Sequence, residues 1–387
     1  MNLFGIKSRR TPARAVLART ASWIGGAGVG ALPRSWEEQV RAAYCANPVA
    51  QRVCRIVAEA VGGAPLVADD TPGGAAALAL IGAQSGGQAL LATVATQMLL
   101  HGNAYIQLIA SDESGPLSEL FALRPERVVV ETDGRGWPLA FAYRAGSQTI
   151  RLPAEDGRGR VLVAHVKAVH PLDDHYGLGN LSAAARAVAV HNAAAVWNQA
   201  LLDNAARPSG ALVYDPGERG AALSPEQFDR LKAEMEAQFQ GSANAGRPML
   251  LEGGLSWQAM SLSPADMDFI ALKDSAARDI ALAFGVPPML AGLSGDATYA
   301  NYREASRALW RLTVLPLAGT ILGAINQALA SWGMDAGLRV DPDRVTALSE
   351  DRERLWARVS AADFLNDAEK RAMLGLSAVT DDRGAAA

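Results

Sequence analysis

Five residues able to bind a metal or move a proton crowd one stretch: His165, His170, Asp173, Asp174 and His175 lie within eleven residues. Imidazole beside carboxylate suits a zinc or acid–base site, but the spacing fits no zinc-ligand pattern. A turn after a strand collects Asp, His and Pro for local hydrogen bonding, and the stretch reads as such a turn. His101 ends a helical segment, where a positive ring would complement the helix dipole. His191 falls mid-helix and reads as packed. The carboxylate pairs Asp266/Asp268 and Asp341/Asp343 sit at caps or turns, where acids are expected.

The common catalytic and cofactor signatures are missing. There is no Gly-x4-Gly-Lys-Ser/Thr phosphate loop, no His-Glu-x-x-His and no Cys-x-x-Cys. Gly292-Leu-Ser-Gly295 lacks the second glycine of a nucleophile elbow. Gly26-x-Gly28 has no strand before it and no acid at the distance a dinucleotide site requires. No catalytic, cofactor-binding or metal site is expected, and an enzyme is disfavoured. Cys45 and Cys54, nine apart, read as buried free thiols rather than a disulfide.

The chain must be built from elements that position something other than a reaction centre. It has 387 residues, 50% hydrophobic and 20% charged, enough for a real core. Of 36 basic residues only five are lysine (Lys7, Lys167, Lys232, Lys273 and Lys370), a bias that reads as GC-rich coding. Residues 1–35 carry six basic residues and no acid, whereas the remainder carries a net −10. A basic, glycine-bearing flexible arm thus precedes an acidic body. The first 20 residues lack a sufficient apolar run and a cleavage site for a signal peptide, so a cytosolic or non-secretory origin is expected. The apolar segment Leu312–Leu322 is interrupted by Pro316 and Gly319 and is too short to span a membrane.

Periodicity places the elements. Ser35 and Glu38 form a capping box, and Pro48 marks a break or fresh helix start before Val53, Val57 and Val61. Residues 64–86 read as a short apolar piece and a Gly/Ala-rich loop. A helix follows over Gln88–Leu100, ended by Gly102. The period then drops to two, giving strands at Ala104–Ile109, Leu117–Leu123, Arg127–Thr132, Leu139–Tyr143, Thr149–Leu152 and Val161–Val169. Helices return at Leu181–Asn204, from Ser224-Pro225, from Ser263-Pro264 to Phe284, at Asn301–Trp332, at Leu348–Ala362 and at Asp367–Leu374. A short strand is expected at Ala211–Tyr214, and a hairpin pairs Pro248–Leu251 with Leu255–Met260. The fold class is α+β.

The motifs lie in an order that resembles the HK97-type phage portal protein family. They are Leu100-His-Gly-Asn-Ala-Tyr105, Leu123-Arg-Pro125, Tyr176-Gly-Leu-Gly-Asn-Leu-Ser182 and Asn204-Ala-Ala-Arg-Pro-Ser-Gly210. Further along come Asn244-Ala-Gly-Arg-Pro-Met-Leu-Leu-Glu-Gly-Gly254, Leu262-Ser-Pro264, Asp268-Phe269 and Arg278-Asp-Ile-Ala281. Phe284-Gly-Val-Pro-Pro-Met-Leu290, Tyr299-Ala-Asn-Tyr302 and Leu315-Pro316 complete the set. Each alone is a turn or cap signature; the order across roughly residues 36–335 is specific.

The resemblance implies a portal-type subunit in a ring of twelve copies at one capsid vertex, through which double-stranded DNA is packaged and ejected. It implies the major capsid protein, the terminase large subunit and a head–tail adaptor as partners, with no membrane. The location would be the virion, after assembly in the bacterial cytoplasm, for a phage, a prophage or a gene transfer agent. It divides the chain into an arm (1–35), an α/β wing (36–180), a stem helix (181–205) and a small α+β clip (206–263). A second stem helix (264–291), a channel loop (292–302), a long kinked wing helix (303–337) and a reduced helical crown with tail (338–387) follow.

On this reading Ser294, Gly295, Asp296, Thr298, Tyr299 and Asn301 face DNA. Phe228, Met235, Phe239, Glu252 and Trp257 belong to the docking clip, and Pro316 kinks the helix. Thr298→Ala would do little, since no base contact is proposed. A non-portal scaffold or binding module is the alternative, with an enzyme of non-local site behind it.

Overall fold

Two three-stranded antiparallel sheets carry the period-two segments. The computed structural model describes residues 35–112, 115–203, 210–214, 224–239, 255–259, 269–293 and 298–376. The chain divides into two units, one of residues 52–182 and 284 onward, the other of residues 26–51 and 183–283. The elements run α1 (Trp36–Val40), α2 (Pro48–Gly62), β1 (Leu66–Val67), α3 (Pro72–Gly82), α4 (Leu90–His101), β2 (Asn103–Ala110) and β3 (Leu117–Leu123). Next come β4 (Val128–Thr132), β5 (Pro138–Ala145), β6 (Gln148–Pro153), β7 (Val163–Lys167), α5 (Asn180–Asp203), β8 (Gly210–Tyr214) and α6 (Pro225–Phe239). The last are β9 (Leu255–Ala259), α7 (Phe269–Ala283), α8 (Tyr299–Leu309), α9 (Leu315–Ser331), β10 (Arg339–Val340), α10 (Ser349–Ser360) and α11 (Asp367–Leu374).

In the first unit, β2 is central in the order β3–β2–β7, and β5 is central in β4–β5–β6. Tyr105 pairs with Leu123 on one side and His165 on the other. Tyr105, Leu123, Val128, Phe141 and Val163 form a buried cluster that joins the two sheets. Helix α9 buries Ala318, Ile321, Leu322, Ile325, Ala328 and Leu329, a three- and four-residue rhythm that turns one stripe to the core. The end of α9 is fastened: Trp332 Nε1 donates to the Val161 carbonyl at 2.8 Å, and Ser331 Oγ accepts from Val161 N–H at 2.9 Å.

Several expectations are corrected. Residues 72–82 are a helix, not a loop: Thr71 caps it by accepting from Gly74 N–H, Pro72 opens it, and an Ala-rich run sustains it. Cys45, at the end of the π-helical turn Arg41–Cys45, is exposed, while Cys54 is buried; both are free. The described partner of β9 is β8, and the proposed hairpin arm 248–251 lies outside the described residues, as do the arm 1–34 and residues 377–387. Helix α7 is described only from Phe269, so the start expected at Ser263 also lies outside.

A single helix of 33 residues runs through Pro316 and Gly319 from Tyr299 to Ser331 and is long and apolar enough, by length and composition alone, to cross a membrane. Its inner stripe is packed inside the protein instead. Pro316 brings no N–H, and the helix widens just before it into a π turn, Trp310–Val314, where Leu315 N–H bonds the Trp310 carbonyl five residues back.

In the second unit, Asn47 is the organising residue. Its Oδ1 accepts from Val49 and Ala50 N–H at 3.0 and 2.9 Å, capping α2. Its Nδ2 reaches Asn192 Oδ1 at 2.8 Å and His191 Nδ1 at 3.1 Å on α5, and Asn192 Nδ2 donates to the Ala42 carbonyl. His191 is buried, as its mid-helix position suggests. On α6, Ser224 and Gln227 cap each other reciprocally.

The tightest packing in the first unit is between backbones. A Cβ on Gly102 would stand 2.4 Å from Gly179 N, and one on Gly177 would stand 2.0 Å from the Gly102 carbonyl oxygen. Gly102 also has φ +77°, a region L side chains avoid. Gly102→Ala should therefore lose about 2 kcal/mol or more, and Gly134→Ala, with open space around it, within about 0.5 kcal/mol of none. Urea unfolding of the two variants measures this; equal midpoints would contradict it.

Candidate functional site

Two of the sequence motifs meet at this backbone crossing. Leu100-His-Gly-Asn-Ala-Tyr105 ends α4 and opens β2, and Tyr176-Gly-Leu-Gly179 leads into α5. Asn103 is 1% exposed, so its amide must be satisfied by protein. Its Oδ1 accepts from Gly177 N–H at 2.7 Å and from His165 Nε2 at 3.0 Å. Its Nδ2 donates to the His101 and Gly177 carbonyls at 3.1 and 3.2 Å. Ala168 N–H completes the crossing on the Gly102 carbonyl at 2.8 Å. His165 stacks on Tyr105 with centroids 4.3 Å apart, and the Tyr176 hydroxyl accepts from Val130 N–H.

The polar cluster downstream of β7 serves the same junction. Asp173 Oδ1 accepts from His175 and Tyr176 N–H at 2.7 and 3.0 Å, His170 Nδ1 accepts from Leu172 N–H, and His175 Nε2 lies 2.7 Å from the Gly136 carbonyl. Lys167 donates to the Asp174 carbonyl. The His170, Asp173 and His175 side chains thus bond backbone, and His165 bonds Asn103.

Burial decides the charge of these histidines. It pushes His101 down to about 4, and it pushes His165 down to about 3 with help from Lys167, His101 and His175. His101 is therefore neutral near pH 7, which corrects the expected dipole partner: desolvation outweighs the helix terminus. Burial alone pushes the Cys54 thiol up to about 12, so it is inert.

The predicted channel and clip residues fall partly outside the described structure. Ser294, Gly295 and Asp296 do so, as does Glu252. Tyr299 and Asn301 belong to the first turn of α8 rather than to a loop, and Thr298 is its N-cap, accepting from Asn301 N–H at 3.2 Å. Thr298→Ala thus forfeits a cap worth about 1 kcal/mol of stability, an effect separate from the DNA contact that the expectation concerned. Phe228, Met235 and Phe239 lie on α6, where Phe228 is exposed, and Trp257 lies on β9.

An ion-pair network across α8 and α10 was missed. Arg307 reaches Glu304 at 2.7 Å, Glu350 at 3.1 Å and Asp351 at 3.3 Å, Arg303 pairs with Glu350, and Arg311 stands 3.8 Å from Asp351. The four-residue spacing of Arg303, Arg307 and Arg311 is the signal that could have pointed to it. Apart from Glu304, the acidic partners stand forty or more positions further along the sequence.

Sheets, helices and motif crossing together define a portal-type α+β subunit. A family model described as phage portal protein matches residues 48–375. An uncharacterized protein of Rickettsia bellii (strain RML369-C) is 43% identical over 289 residues, 74% of this chain and 73% of that one. A chain in the neck of a native gene transfer agent particle, computed with C12 symmetry, is 45% identical with TM-score 0.68, covering 90% of this chain and 96% of that one. An HK97 family phage portal protein from Corynebacterium diphtheriae, 20% identical with TM-score 0.56, covers 81% of this chain and 97% of that one and shares the fold. The chain belongs to the phage portal protein family. It is a portal protein, a structural component and not an enzyme, which sets aside the scaffold and enzyme alternatives.

The buried histidines give a pH test. In the unfolded chain they titrate near the ordinary 6.5, in the fold near 4 and 3. Their contribution to stability is complete above about pH 6.5 and is lost as pH falls toward the folded values, by up to about 1.4 kcal/mol per pH unit per group. His165→Gln keeps a donor for Asn103 and removes one titration. Thermal melts between pH 7 and 4 should show a shallower decline for the variant; parallel curves would contradict the assignment.

Proposed function

We propose that this portal protein works as a ring of twelve copies at one capsid vertex of a virion, with double-stranded DNA passing through its centre during packaging and ejection. The observation that carries this reading is the 45% identity and TM-score of 0.68, over 90% of the chain, to a chain from a twelvefold particle neck. The terminase large subunit and a head–tail adaptor would dock on the outer end, the major capsid protein would surround the ring, and assembly would begin in the bacterial cytoplasm.

The division of labour follows the sequence reading: wing over 36–180, stem helices within 181–205 and 264–291, clip over 206–263, channel loop over 292–302, wing helix over 303–337 and crown from 338. Continuous helices α5 and α7 support the stem assignment. The β8–β9 pair and α6 support a small α+β clip carrying Phe228, Met235, Phe239, Glu252 and Trp257. The π turn before Pro316 supports a bend in the long helix, since π turns and prolines are the usual causes of kinks. An acidic body supports a conduit: each added phosphate contact strengthens binding through counterion release and would hold back a moving duplex.

Asp296→Arg adds attraction to phosphate in the proposed channel loop. It should leave ring mass unchanged and lower packaged DNA per particle, more so at low salt where screening is weaker. Normal packaging by normal rings would place residues 292–302 away from the DNA.

A further inference from the structure

A groove of about 620 Å³ runs along one face of α8. Tyr299, Tyr302, Arg303 and Arg307 on α8 and Trp310 just after it line the groove, at helical spacing, together with Arg344. Tyr299 and Tyr302 are 77% and 54% exposed, large for aromatic rings, and Arg303 lies over the Tyr299 ring at 5.3 Å. Aromatic residues with Arg and without Lys are the composition of protein-interface hot spots. Glu304, Glu350 and Asp351 neutralise Arg303 and Arg307 from within the network. DNA would need uncompensated positive charge, so the balance favours a protein occupant. Arg344 is exposed and has no carboxylate partner among the described residues.

The complementary feature lies on the same unit. Phe364, 87% exposed, projects from the turn between α10 and α11 beside exposed Asp363. An aromatic ring with an adjoining carboxylate is what a groove of tyrosine, tryptophan and one unpaired arginine would take. Within one copy no hydrogen bond or ion pair joins Asp363 to Arg344 among the described residues. Glu350, in the first turn of α10, lines the groove, and the turn follows the far end of that helix. A different copy is free to supply the turn, and two unlike faces meeting head to tail are what closes a ring.

We infer that the Asp363-Phe364 turn of one copy seats in the Tyr302–Arg344 groove of the next, with Asp363 against Arg344. This rests on the ring reading above and names the faces that make the ring.

Charge exchange tests it. Arg344→Asp and Asp363→Arg each place like charges across the contact and should lower the ring fraction, seen by native mass spectrometry, about tenfold or more. The double variant restores opposite charges and should return to within about threefold of the original protein. Phe364→Ala should weaken rings without changing the melting temperature of the subunit. All three positions are exposed, so folding is expected to survive, and circular dichroism checks it. Folded single variants with undiminished rings, or a double variant no better than the singles, overturn the inference and leave the ring reading standing. Undiminished rings that lose DNA with Arg344→Asp would assign the groove to DNA and likewise overturn it. An original protein that forms no ring under any condition overturns the ring reading itself, and this inference with it.

Discussion

Backbone touching backbone at Gly102 and Gly177 is the constraint around which the first unit is organised. Once two segments pass with no space for a Cβ, the amides and carbonyls between them are cut off from water. Each one left unpaired would cost about 1–3 kcal/mol. Asn103 resolves this with a single side chain that both accepts and donates, a balance neither Asp nor Leu offers. The end of α4, the start of β2, the end of β7 and the approach to α5 are fixed by that one amide. His165 joins it as a neutral donor, so burial and function of the node agree: a charged ring would have to be desolvated to sit there.

The second unit uses the same device independently. Asn47 caps α2 with its oxygen and ties α5 with its nitrogen, while Asn192 satisfies the Ala42 carbonyl within the π-helical turn. In both units a buried asparagine does what apolar packing cannot, because Ala-rich helix faces approach closely but specify register weakly. Ala184, Ala185 and Ala194 on α5 and Ala276, Ala277 and Ala281 on α7 are all buried. For a subunit proposed to present the same faces around a ring, fixed register matters more than added stability.

How far the sequence disclosed this depends on range. Elements governed by local rules were legible: Leu117–Leu123 and Asp367–Leu374 appear at the expected bounds, and the caps at Ser35 and Ser224 form as their spacing suggests. The family was legible because turn and cap motifs recur in one order. Helix α3 was lost because Gly73-Gly74 reads as loop punctuation, though Thr71-Pro72 is a cap followed by a first-turn proline. The charge of His101 was misread because burial is a tertiary property. Of the groove along α8 and its ion pairs only the four-residue arginine spacing was legible, since Arg307 and Glu350 are brought together only by the fold. The asparagine-glycine crossing was half legible: both motifs were seen, their contact was not.

The most direct measurement is electron microscopy of the purified protein, imaged without any partner. The account predicts end-on views of a ring with twelve subunits around a central opening wide enough for a DNA duplex. Particles that remain single subunits, or that close into an assembly without a central opening, would contradict it.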